Sequence, residues 1–371
     1  MIQFKLPSPR RIFTSINALR LLWILVLFCI EHYFPRRATS LCSWPLDGPR
    51  ECRLAVIADP QIVDENTYPR RGIAMWLTKV FTDRYMRRNW RYVMDQDPGL
   101  AIFVGDLMDG GREWEDNLYV SDINEPKDRW IPEYQRFRDV FPAVEGVRIS
   151  TTIPGNHDIG LGDGIRPARL NRFISHFSSS NSTSEIIETC NFELILLDTP
   201  SLLNTQDPSI HESPLTFLEN LPDPRPDVPR ILFTHIPLYR TPDTSCGAYR
   251  ESSRPIYYGG GYQYQNTLSE ELTNRILDAM WPLAAIFTGD DHDYCLVEHT
   301  MEGRREKIPE YTVKSFSWAM VYLDLVKANI RESSILDIIW YPSVQTAAML
   351  LPCLRHDYVS FHHRSMGISS T

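Results

Sequence analysis

The chain has 371 residues, enough for one large domain with additions, and its 43% hydrophobic content is ordinary for a globular protein. A formal net charge of −9 and the lack of any long Lys/Arg run exclude nucleic acid as the expected partner. Seven cysteines with no Cys-x-x-Cys pair argue against a zinc ribbon.

In chain order, Lys5, Arg10, Arg11 and Arg20 precede an unbroken apolar run, 21–30, with 16–19 before it and Tyr33-Phe34 after it. This reads as a cytosolic tail (1–15) and a transmembrane signal-anchor (16–34). A cleaved signal peptide and a buried helix of the domain are the competing readings. The positive-inside rule puts the chain beyond the anchor in a lumen, although Arg36 and Arg37 on the far side oppose it. A polar, Pro-containing linker (35–50) leads into a large domain (51–317), and a C-terminal region (318–371) shows no familiar pattern. In an oxidising lumen, Cys42 with Cys52, or Cys190, Cys246 and Cys295 in some pairing, fit disulfides; buried free thiols are the alternative.

Within 51–317, short apolar runs at 54–57, 100–104, 149–154, 231–233 and 284–287 read as buried strands. Between some of them lie helices, at 73–94, where Ile73, Trp76, Leu77, Val80, Phe81 and Tyr85 recur at helical spacing, and at 268–280. This alternation predicts an α/β layered domain. Asn181-Ser182-Thr183 is a glycosylation sequon in a Ser-rich, loop-like stretch, 178–184. Residues 241–264 combine Gly247, Gly259, Gly260 and Gly261 with Tyr249, Tyr257, Tyr258, Tyr262 and Tyr264. Such a loop either shapes a groove whose Tyr faces stack on sugar rings, or is a variable surface insertion.

Each strand is followed by a polar segment: Ala58-Asp59-Pro60-Gln61, Gly105-Asp106-Leu107-Met108-Asp109, Gly155-Asn156-His157-Asp158, Thr234-His235 and Gly289-Asp290-Asp291-His292-Asp293. Carboxylates, imidazoles and an amide gathered at strand ends suit hard or borderline metal ions. Any one of these residues alone would read as a turn or helix cap. Gly-x-Ser-x-Gly, Gly-x-x-x-x-Gly-Lys and His-Glu-x-x-His are all absent from the sequence.

The five segments, in this order, resemble the calcineurin-like metallophosphoesterase superfamily. Its pattern is Asp-x-His, Gly-Asp-x-x-Asp, Gly-Asn-His-Asp/Glu, a lone His, and Gly-His-x-His. The resemblance covers residues 53–298 and implies two facing mixed β-sheets flanked by helices, with a two-metal site at one sheet edge. By family position Asp106 bridges the metals. Asp59, Gln61 and His292 hold the first ion; Asn156, His235 and Asp290 hold the second. His157 donates a proton to the leaving oxygen, Asp158 orients its ring, and a metal-bound hydroxide is the nucleophile. Asp109 supports the loop or a His, while Asp291 and Asp293 either fix His292 or are solvated loop charges.

Two residues depart from the pattern: Gln61 and Asp290 stand where the family has His. They shift the ligands toward oxygen, which favours manganese, and Gln61 reads either as a ligand or as a group orienting water. Ala-Asp-Pro-Gln, Gly-Asp-Asp-His-Asp-Tyr-Cys and the segment 311–317 are similar to a fungal cell-division-control branch. That branch comprises membrane-bound phosphodiesterases related to enzymes that remove ethanolamine phosphate from GPI-anchor mannoses. The resemblance therefore implies a single-pass endoplasmic reticulum or Golgi protein with a lumenal domain, acting on a GPI-anchor glycan or GPI-anchored protein. A phosphomonoesterase or protein phosphatase of the superfamily, or a catalytically silent metal-binding or cargo-receptor-like protein, are the alternatives.

Overall fold

The computed structural model describes residues 15–40, 49–69, 71–114, 129–247, 249–261, 263–317 and 349–350. Most of the expected tail, linker residues 41–48 with Cys42, and the C-terminal region apart from Met349 and Leu350 lie outside the described residues.

Helix α1 (Ser15–Phe28) runs through a wide turn, Cys29–Tyr33, into α2 (Phe34–Ser40). Pro35 has no N–H to donate back along the helix, so a widened turn before it is the expected accommodation. Residues 35–40 are thus helical, not linker. Ile16–Arg37 is long and apolar enough to cross a membrane by length and composition, and only 6% of its apolar window is buried. Leu21, Leu22, Trp23, Ile24, Leu25 and Phe28 are all more than half exposed. Among the described residues, nothing buries this helix in the domain core.

The domain proper contains β1 (Leu54–Ile57), α3 (Ile73–Met94), β2 (Leu100–Val104), α4 (Trp130–Val140), β3 (Arg148–Ile153), α5 (Asn156–Ile159), α6 (Pro167–Phe177), β4 (Glu185–Thr189) and β5 (Phe192–Leu197). There follow α7 (Thr199–Leu202), α8 (Pro208–Glu219), β6 (Arg230–Thr234), β7 (Gly260–Gly261), β8 (Tyr264–Gln265), α9 (Glu270–Met280), β9 (Leu283–Thr288), β10 (Cys295–Thr300), β11 (Lys307–Thr312) and β12 (Met349–Leu350). One large sheet has the order β12-β1-β2-β3 and a second β10-β11-β9-β6-β5-β4, while β7 and β8 form a separate two-stranded ribbon. Both large sheets are mixed: parallel centres carry antiparallel edges, β12 on the first and β10 and β4 on the second.

Strand alternation builds the layers. Leu54 and Val56 of β1 pack with Leu194, Leu196, Phe233 and Phe287 between the sheets. Ala55 and Ile57 face the other way, onto Met86, Trp90, Phe137 and Phe173 of the helices. On the far side, Ile195, Leu232 and Ile286 pack against Leu218, Ile276 and Met280 of α8 and α9. The result is the expected pair of facing sheets flanked by helices, with the C-terminal ends of β1, β2, β3, β6 and β9 gathered at one edge.

The β4–β5 hairpin was not legible as a pair of runs. Its turn sits against the domain's entry, where Thr189 Oγ1 donates to the Glu51 carbonyl at 3.2 Å. Cys52 accordingly pairs with Cys190, not with Cys42, and a second disulfide joins Cys246 to Cys295. Asn181 of the sequon is exposed. Helix α3 has the expected bounds, but the apolar stripe legible in its sequence is not its core face. Met75, Met86, Trp90 and Val93 are buried, whereas Ile73, Trp76 and Phe81 point outward.

Candidate metal centre

The polar segments meet at this sheet edge. Asp59, Gln61, Asp106, Asp290 and His292 all have left-handed backbones, with φ of 47°, 33°, 51°, 68° and 65°. Non-glycine residues are rarely held there, and such strain concentrates at functional sites. The turns brace one another. Gln61 N–H donates to the Asp106 carbonyl at 2.8 Å, Asp290 N–H to Asp59 Oδ1 at 3.0 Å, and Gly289 N–H to the His235 carbonyl at 2.9 Å. Two glycines allow the approach: a Cβ on Gly105 would lie 2.5 Å from His235 Nδ1, and one on Gly155 2.0 Å from Asp106 Oδ1.

His235 is wholly buried. Its Nδ1–H donates to the Val104 carbonyl at 2.9 Å. That bond leaves Nε2 facing Asn156 Oδ1 at 3.1 Å, Asp106 Oδ1 at 3.4 Å and Asp290 Oδ1 at 3.5 Å. The Asn156 amide is oriented, since its Nδ2 donates to the Gln263 carbonyl at 2.8 Å and its oxygen is turned inward. Asp59, Asp106 and His235 each offer a ligand atom, all within 4.8 Å of one another. His292 lies close enough for its charge to lower the pKa of Asp106.

This donor set fits a cation. Asp59 Oδ2 and Gln61 Oε1 are buried with no hydrogen-bond partner among the described residues. Unpartnered buried oxygens are costly, and a metal ion is one of the few groups that satisfies several at once. Burial, with Asp106 and Asp290 nearby, pushes the Asp59 carboxyl well up despite His235. Burial also pushes Asp106 up, but His235 and His157 outweigh it and hold it below the usual range. Gln61 Nε2 donates to Asp106 Oδ2 at 2.5 Å, so its amide steadies the central carboxylate while its oxygen stays unpartnered.

The proposed acid pair needs correction. Asp158 does not hold the His157 ring. Its carboxylate accepts backbone N–H groups from Leu107, Met108 and Gly155 at 3.1, 2.8 and 2.8 Å, stapling two site loops together. Burial and Asp106 outweigh these bonds and push Asp158 up to about 7. The ring is held by Asp109, whose carbonyl lies 2.7 Å and whose Oδ1 lies 3.4 Å from His157 Nδ1. Asp109 Oδ2 accepts in turn from Thr67 Oγ1 at 2.5 Å. Burial pushes His157 down, but Asp106 and Asp109 outweigh it and raise it to about 9.

Two supporting residues escaped the sequence reading. Gln263 turns Asn156 through its carbonyl, and its Oε1 accepts from Leu161 N–H at 2.9 Å. Arg112 Nη1 donates to the carbonyls of Asn156 and Gln263 at 3.2 and 3.4 Å. No motif spacing marks either. Gln263 belongs to the Gly/Tyr-rich loop, which is fastened to the 289–293 turn from the other side as well. Arg250 pairs with Asp291 at 2.5 Å, and Asp293 accepts from the backbone of Glu251 and Ser252 at 3.0 and 2.7 Å. The Cys246–Cys295 disulfide closes the same connection. Tyr249, Tyr257, Tyr258 and Tyr264 of this loop stay exposed.

Comparison with known proteins agrees with this geometry. The chain is 38% identical to Cell division control protein 1 of Saccharomyces cerevisiae over 81% of its own length, and spans 61% of that protein. It is 29% identical to a Metallophosphoesterase 1 homolog of Caenorhabditis elegans, over 80% of this chain and 76% of that one. A dimetal phosphatase from Danio rerio overlaps with a TM-score of 0.40 at 13% identity, covering 72% of this chain and 88% of that one, which adds nothing to the assignment. The calcineurin-like phosphoesterase family pattern matches residues 52–294, well over half of the sequence, and the chain belongs to that family of metallophosphoesterases.

Proposed function

We propose that this protein is a membrane-anchored phosphodiesterase that removes ethanolamine phosphate from a GPI-anchor mannose, on the lumenal side of the endoplasmic reticulum or Golgi. The observation that carries the diesterase chemistry is the buried donor set whose Asp59 and Gln61 oxygens have no partner among the described residues. Asp59, Gln61, Asp106 and His292 would hold one divalent ion, and Asn156, His235, Asp290 and Asp106 another, with manganese suited to so many oxygens. Bound there, the ions would polarise the phosphate and supply an activated water.

The chain's own residues do the rest. Asp106 is fixed from both sides, by His157 N–H on Oδ1 at 2.8 Å and Gln61 on Oδ2. Asp109 engages His157 Nδ1, so Nε2 is the atom that can give its proton to the mannose oxygen as the phosphorus–oxygen bond breaks. Neutralising Asp106 would bring His157 down from about 9 toward neutrality, where such a donor works best. The exposed tyrosines beside the centre offer flat faces to sugar rings. The exposed apolar helix offers an anchor, and Asn181 is open to glycosylation.

The test is phosphoethanolamine release from a GPI glycan by the full chain in detergent with manganese, beside Asp106→Asn. Release by the wild type alone supports the proposal. No release by a protein that binds manganese would overturn the substrate assignment. No release and no metal binding would overturn the enzymatic reading of the site.

A further inference from the structure

Helix α3 carries a face that the described residues leave uncovered. Ile73, Trp76, Leu77, Val80 and Phe81 are 78%, 60%, 38%, 38% and 56% exposed. They follow the i, i+3, i+4, i+7, i+8 spacing of one helical stripe. A solvent-facing stripe of this size, with a tryptophan and a phenylalanine in it, is not ordinary surface. Exposed Arg84 and Arg91 follow on the same helix.

Its position names the occupant. The other end of α3 touches the end of the apolar anchor helix: Arg88 pairs with Glu31, and Tyr92 Oη donates to the His32 carbonyl at 3.4 Å. Ile73 lies 15 residues before Arg88, about 22 Å along the helix. The stripe therefore continues, along one edge of the domain, a surface that begins where the anchor helix ends. We infer that α3 lies in the lumenal membrane interface, its 73–81 face among the lipid headgroups and upper acyl chains, with its arginines toward the headgroups. Aromatic and leucine side chains on one face of a helix, with basic groups beside them, are the composition such helices use.

The placement bears on the substrate. β1 ends at Ile57, two residues before Asp59, and α3 runs back between the parallel strands β1 and β2, so its N-terminal, apolar half lies toward the sheet edge that carries the metal centre. A domain seated on this face holds its catalytic edge at the bilayer surface. It would meet phosphate diesters carried close to the membrane on a lipid anchor, rather than esters free in solution. This rests on the anchor reading proposed above, and the experiment separates the two.

The full chain is reconstituted into phosphatidylcholine vesicles with brominated acyl chains, and tryptophan emission is read in wild type, Trp76→Phe and Trp23→Phe. Differences between the spectra isolate the Trp76 and Trp23 components. Burial by about 5–10 Å at the headgroup boundary brings the indole near the bromines and should reduce the Trp76 component about twofold relative to unbrominated vesicles. Red-shifted Trp76 emission quenched by iodide and not by bromolipid would overturn the inference, since the face would then be in water. Blue-shifted emission insensitive to both quenchers would also overturn it, showing that a second copy or residues 318–371 cover the face. Quenched Trp23 with unquenched Trp76 leaves the anchor standing and removes only this inference. If neither is quenched, the anchor itself fails. None of these readings depends on hydrolysis.

Discussion

Two buried polar clusters border β9 of the second sheet, and they differ in what completes them. In one, Glu310 Oε1 accepts from Arg240 at 2.6 Å, Leu238 N–H at 3.2 Å and Thr288 Oγ1 at 3.2 Å, and Oε2 meets His299 Nε2 at 2.5 Å. Burial pushes Glu310 up, but Arg240 and His299 outweigh it and hold it below the usual range. Two residues beyond Thr288, Asp290 belongs to the other cluster, where Asp59 Oδ2 and Gln61 Oε1 are unpartnered and Asp59 is pushed well up. The first cluster is complete within the protein and holds the sheet together. The second is strained and, among the described residues, leaves two buried oxygens for a bound group to satisfy. Burial and charge density alone would not have told them apart; partner satisfaction does.

The sharpest way to break this contrast is to neutralise each cluster in turn. Asp106→Asn keeps the size of the side chain and its acceptor for His157 N–H. We expect hydrolysis to fall by more than the roughly 100-fold typical of losing an outer partner of a metal ligand. Thermal stabilisation by manganese should vanish too, while metal-free stability should fall only modestly, by the share that His235 and His157 give the ionised carboxylate. A large loss of metal-free stability would make the two clusters alike. Glu310→Ala should do the opposite. It leaves Arg240 buried without its carboxylate and should cost about 3–5 kcal/mol of folding stability by denaturant titration. Whatever folded Glu310→Ala protein remains should bind manganese as the wild type does.

The two clusters were not equally legible. Strand ends were readable because apolar runs and the turn residues after them are adjacent in the chain. β1 and β2 have the bounds their runs imply, and β3, β6 and β9 differ by a residue or so at either end. The residues at those ends were therefore nameable, and the structure brings Asp59, Gln61, Asp106, Asn156, His235 and Asp290 together. What holds them was not readable. Asp158 does not take the role that the family resemblance implied, and Asp109 takes it instead, because the ring of His157 turns back toward the β2 loop. Gln263 is 107 residues from the Asn156 it turns, within a loop whose composition says only that it is irregular. The Arg240–Glu310–His299 cluster has no sequence pattern, since each member comes from a different strand or its flank. The α3 stripe misleads differently: periodicity shows that a helix has an apolar face, not whether protein or lipid covers it.

Gln263 sharpens the contrast at smaller amplitude. Gln263→Ala removes the side-chain bond to Leu161 N–H and loosens the carbonyl that aims Asn156. Manganese affinity by calorimetric titration should weaken roughly 10-fold, the lower end for a supporting partner, because the carbonyl itself remains. Unchanged affinity would show that Arg112 alone keeps the segment in place.

The smallest effect, and the most specific to the comparison, is in the order of events on acidification. Glu310 has a folded pKa below its ordinary value, so its contribution is present above the glutamate range and is lost as pH falls through the lowered folded value. Each unit of lowering is worth about 1.4 kcal/mol. Asp59 has the opposite sign: its folded pKa is raised, so without metal it costs stability at neutral pH, and the cost is relieved as pH falls through the raised value. Manganese competes with that proton. Stabilisation by manganese should therefore fade first as the pH drops, while the Glu310 contribution survives to lower pH and disappears in a separate step. Denaturant midpoints against pH, with and without manganese, would show both steps in the wild type. Glu310→Gln should retain the metal-dependent step and lack the lower one. A single merged step in the wild type would mean that the two clusters titrate as one network, and that proximity along β9 couples what their hydrogen bonding separates.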